Sequence, residues 1–126
     1  MITWRLLSAL FLLAMGGIHL YLVVFGGTGG VLGFLFVVNA IGALVLAIAM
    51  LAAQRGLFVL AGLLSLLLMA GTLLALVLAL TVSLFGIRQQ PSGELVVPTL
   101  IVESIGTIVL VVTTALGIQK QRRSAS

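Results

Sequence analysis

An all-α fold, a four-helix transmembrane bundle, is what this sequence predicts, and three observations predict it. The 126 residues are 63% hydrophobic and 6% charged. Four apolar stretches each reach the roughly 20 residues that cross a hydrocarbon core. Short breaks holding glycine, proline or charge separate them. A soluble domain carries roughly a quarter charged residues. Two acids and six bases cannot cover one, so lipid is the solvent for most of the chain. The length fits a single domain.

The first helix is expected over about 6–25, behind Arg5 and before Gly26-Gly27-Thr28-Gly29-Gly30. A cleaved signal peptide is the rival reading. No small-x-small cleavage site follows, and the apolar run continues past Gly17. The second helix is expected over about 31–53 and stops at Gln54-Arg55-Gly56. The third, over about 57–85, is longer than a bilayer requires and so tilts or protrudes. It stops before a polar loop holding Arg88, Pro91, Gly93 and Glu94. The fourth, over about 97–118, carries Pro98 in its first turn, where a missing N–H costs nothing. A basic tail, 119–126, follows.

Topology follows from the cations. Four helices put both termini and the 54–56 turn on one side, with Arg5, Arg55, Lys120, Arg122 and Arg123. Only Arg88 lies opposite. This asymmetry places both termini in the cytoplasm of a cell inner (cytoplasmic) membrane. The net charge of +4 thus reports orientation, and no nucleic-acid partner is expected. Trp4 and Tyr21 flank the first helix as interfacial anchors.

Helices already in lipid associate through close contact of small residues. Gly71, Ala75, Ala79 and Ser83 recur at spacing four on the third helix and predict a tight crossing, within the chain or between copies. Ala43 and Ala47 follow Asn39 at the same spacing on the second.

The informative residues are the polar ones inside the spans. His19, Asn39, Thr81 and Glu103 supply one to each helix. Counting 1.5 Å per residue puts them roughly 9, 12, 6 and 9 Å below the outer interface, in one layer. Glu103 needs compensation there: either it keeps a proton, or His19 becomes charged and pairs with it. Asn39 and Thr81 have hydrogen bonds to offer, and Tyr21 and Ser104 are positioned to extend the network. Such a layer serves as packing glue or as a site, and intramembrane ionisable groups are by default functional.

Other chemistry fails on inventory. There is no cysteine and one histidine, so neither a metal nor any cofactor is expected. The glycine-rich turn lacks the lysine of a phosphate loop. Ser104 adjoins Glu103, and helix neighbours point about 100° apart, which defeats a nucleophile set. No enzyme is expected.

Four stretches, Gly17-Ile18-His19-Leu20, Phe34-Leu35-Phe36-Val37-Val38-Asn39-Ala40, Leu84-Phe85-Gly86-Ile87-Arg88 and the segment around Glu103, carry a resemblance. The chain resembles a group of small four-helix membrane proteins from actinobacteria. The resemblance implies the architecture and draws notice to His19, Asn39, Arg88 and Glu103; it implies no activity. That group has an aromatic and charged run where this chain has Gly26–Gly30.

Three roles fit. The sequence ranks first a non-enzymatic accessory or structural subunit, with other membrane subunits or copies of itself as partners. A homo-oligomeric proton-coupled transporter would use Glu103 and His19. A lipid- or quinone-binding bundle would use His19 and Arg88.

Overall fold

The computed structural model describes residues 1–26, 29–54, 56–81 and 96–125. Four helices account for nearly all of them: α1 (Ile2–Val24), α2 (Gly30–Ala52), α3 (Gly56–Thr81) and α4 (Val96–Ala125). All four are long and apolar enough to cross a membrane. The chain is thus a small multi-pass membrane protein, and the bilayer is its surroundings.

Two helices run further than the expected spans. The first begins at Ile2 because nothing in Thr3-Trp4-Arg5 breaks a helix. The fourth continues through Lys120, Arg122 and Arg123 to Ala125. Gln, Lys and Arg are good helix formers and no glycine follows Gly117, so the basic tail is helical. At 30 residues, α4 is about 45 Å long, well beyond the ~30 Å of hydrocarbon. Gly30 opens α2 with φ +64°, a left-handed value that glycine adopts without a Cβ penalty.

The helices form a ring. Helix α1 packs on α2 and α4, α3 packs on the same two, and α1 meets α3 narrowly across the middle. The α1·α2 interface is the most extensive. Gly16 carries it: a Cβ there would stand 2.9 Å from Ala43 Cβ and 3.4 Å from the Ala40 backbone. Ala43 and Ala47 are buried in line with Asn39, on one face of α2. On α3·α4 the close approach is Gly62, where a Cβ would collide with Thr114. Gly71 lies on another face of α3. It is exposed, and a Cβ there would meet no heavy atom within 4 Å. The tight crossing expected at Gly71 is therefore not made within the described chain. The Ala79 side chain and Ser83 lie outside the described residues.

The core is a column of Leu12, Met15, Met50, Met69 and Leu110, all fully buried. Flexible Met side chains fill the irregular space between helices. Polar side chains share the interior, among them Ser8, His19, Asn39, Ser65, Glu103 and Thr113. The outside is the reverse, with Ile2, Phe34, Leu67 and Ile108 each more than 60% exposed. Such polarity suits hydrocarbon and would be ruinous in water.

At the end bearing both termini, Arg5 ties three helices together. Its guanidinium donates to the carbonyls of Met50 (3.1 Å) and Ala53 (2.8 Å) at the end of α2. These are orphan acceptors at the negative end of the helix dipole. The same group lies 4.0 Å from the centroid of the Phe58 ring on α3.

Candidate functional site: a buried carboxyl in the bundle

The inward face of α4 reads Val96, Thr99, Glu103, Gly106, Leu110, Thr113 and Gly117, alternating steps of three and four. That is the spacing of a seam in a left-handed bundle, and it turns Glu103 inward. Opposing contacts set its height. On α1, Ser8 Oγ donates to Thr113 Oγ1 at 2.9 Å, and Phe11 faces Gly106. Continuing this antiparallel register brings Met15 opposite Glu103. On α3, Met69 Cε approaches the Gly106 position to 2.9 Å, which brings Thr72 level with Glu103. Asn39 on α2 joins there, its Nδ2 donating to Thr72 Oγ1 at 2.8 Å. The Thr72 hydroxyl in turn donates to the Leu68 carbonyl at 2.6 Å.

Glu103 is 0% exposed, and neither carboxyl oxygen has a hydrogen-bond partner. Among the described residues, Asn39 Oδ1, Ser65 Oγ and Thr114 Oγ1 are likewise buried without one. An orphaned buried polar group costs about 1–3 kcal/mol, and a charged one more. Among the described residues, none pairs its charge. A fully enclosed carboxyl with unpartnered oxygens has the chemistry to hold a proton or accept a donor.

Of the residues of the expected polar layer, His19, Asn39 and Glu103 are buried. Asn39 and Glu103 share a level. His19 is buried one turn further out, but its Nδ1 is 2.8 Å from the Met15 carbonyl, within its own helix. The ring packs edge-on against Phe36, with centroids 4.7 Å apart. It forms no pair with Glu103. Thr81 does not join the layer: it is exposed, and its hydroxyl bonds back to the Val77 carbonyl at 2.8 Å. Thr72, about two and a half turns earlier, takes its place on α3. Tyr21 and Ser104 are exposed and add nothing. Arg88 lies outside the described residues.

The sequence reading missed Thr72, the Ser8–Thr113 bond and the orphans Ser65 and Thr114. A signal existed. Polar, small and Met residues recur at three-four spacing, as in Ala61, Ser65, Met69 and Thr72 on α3. In lipid that stripe marks the inside. Among the described residues, no three His, Cys, Asp or Glu side chains cluster as metal ligands. No family model, curated protein or solved structure matches this chain.

Proposed function

We propose that this membrane protein is a small non-enzymatic proton-coupled carrier, with Glu103 as its proton-binding group. One observation carries the reading: Glu103 is fully buried at the level where three other helices converge, and both its oxygens lack a partner. Packing alone does not account for it. A residue that fixes register does so through the hydrogen bonds it makes, as Asn39 does with Thr72, and Glu103 makes none with its side chain. The group that satisfies it comes and goes, and a proton is the cation every aqueous phase supplies. The basic asymmetry supports an orientation with both termini in the cytoplasm, which sets Glu103 in the outer half of the membrane.

The test is proton movement in liposomes holding the purified protein, with a trapped pH indicator and an imposed membrane potential. Wild type is expected to conduct protons above the rate of empty vesicles. Glu103→Gln, nearly isosteric and unable to release a proton, is expected to fall to that background. Equal rates for the two proteins sink the reading.

A second reading, a subunit of a larger assembly, is favoured by a different observation. Gly71 opens a close-packing position on α3 that nothing among the described residues fills. Native mass spectrometry after mild extraction separates the two: foreign subunits favour the assembly, and a homo-oligomer or monomer favours the carrier.

A further inference from the structure

At the end that bears both termini, an open groove of about 490 Å³ lies between the start of α1 and the end of α4. Met1, Trp4, Leu116, Gln119, Lys120 and Arg123 line it. Three positive features converge there. Lys120 and Arg123 are exposed cations one turn apart on α4. The third is the first turn of α1, which begins at Ile2 with no side chain capping it. Its orphan N–H groups and the positive end of its dipole therefore face the same end. The remaining lining is amphipathic. Leu116 is half-buried on the side toward the hydrocarbon, and the Trp4 indole has one apolar face and one N–H. Helix α4 is longer than the hydrocarbon requires, and Lys120 and Arg123 lie in its last two turns.

We infer that this groove is a binding site for the phosphate headgroup of an anionic phospholipid, its acyl chain descending past Leu116 and Trp4. Lys120 and Arg123 meet the phosphate, with Arg123 able to donate two parallel bonds. Gln119 and the α1 N–H groups supply uncharged donors. A membrane lipid fits better than a soluble anion because the groove joins cations to an apolar wall at the depth where headgroup meets chain. The inference is independent of any role for Glu103. It also separates two neighbours: Arg122 is equally basic and exposed but does not line the groove.

Native mass spectrometry of the full chain, titrated with phosphatidylglycerol or phosphatidylcholine, tests it. Wild type is expected to retain phosphatidylglycerol preferentially. The double variant Lys120→Gln/Arg123→Gln is expected to weaken that binding about fivefold per cation removed. Arg122→Gln is expected to leave it unchanged. Circular dichroism on each variant confirms that the helices persist. The inference is overturned by equal retention of the two lipids, or by Arg122→Gln costing as much as either groove cation. It is also overturned if millimolar inorganic phosphate displaces the lipid, which would make the groove a soluble-anion site.

Discussion

Two buried or half-buried ionisable side chains behave in opposite ways. Arg5 is satisfied, bonded to two carbonyls of α2 and set over the Phe58 ring. Hydrogen bonds from a charged donor are worth about 1.5–3 kcal/mol, and the ring contact adds about 0.5–1. Arg5→Met is therefore expected to destabilise the protein by about 2–3 kcal/mol, read as a lowered unfolding midpoint in detergent. Arg5→Lys should recover part of the loss, since it keeps the charge but not the fork. A midpoint unmoved by Arg5→Met would mean that the clamp contributes nothing. Glu103 is unsatisfied. A buried polar group left without a partner costs about 1–3 kcal/mol, and an apolar residue of similar volume removes that cost. Glu103→Met is thus expected to match or exceed wild type in stability while losing proton movement. A large loss of stability would reveal bonds that Glu103 makes and would return it to a structural role.

At the scale of helices, the two glycines of α3 make contrasting predictions. Among the described residues, Gly62 lies against Thr114 and Gly71 against nothing within 4 Å of a Cβ. Gly62→Val is expected to cost about 1–3 kcal/mol by forcing α3 from α4. Gly71→Val is expected to leave the monomer's unfolding midpoint unchanged. If Gly71→Val shifts the protein's size in native mass spectrometry, that face belongs to an assembly. The same pair shows what was legible in the sequence. Helix number and approximate span were readable from hydropathy alone, because lipid imposes length and composition directly. Helix rotation was not, since leucine and valine surround every helix and give no apolar face. Small residues pack closely wherever they fall, so the Gly71 spacing alone does not say which face of α3 turns inward; Gly62, Ser65 and Thr72 do. Hydropathy places Glu103, Asn39 and Thr81 alike within spans, yet the first two are buried and Thr81 is exposed. Depth along an axis says nothing of direction around it.

For the whole molecule, orientation is the open quantity that charge decides. The structure brings the termini together at one end, as Met1, Trp4, Lys120 and Arg123 share one groove. The excess of basic residues at that end predicts that it faces the cytoplasm. The chain has no cysteine, so single introduced thiols report without background. Ser126→Cys is expected to resist an impermeant maleimide in intact cells and react only after lysis, whereas Thr28→Cys is expected to react in both. The reverse pattern would invert the protein and move Glu103 to the inner half of the membrane.

On the proposed reading, Glu103 takes up and releases a proton inside the bundle. Infrared difference spectroscopy of the reconstituted protein, cycled in bulk pH, reads the carboxyl directly. The chain has two acids, Glu94 and Glu103, so Glu103→Gln identifies the band. A protonated-carboxyl band that appears and vanishes with pH in wild type, and is missing in Glu103→Gln, is the predicted result. A spectrum in which that substitution removes no pH-dependent band would contradict the claim, because Glu103 would then never change its proton.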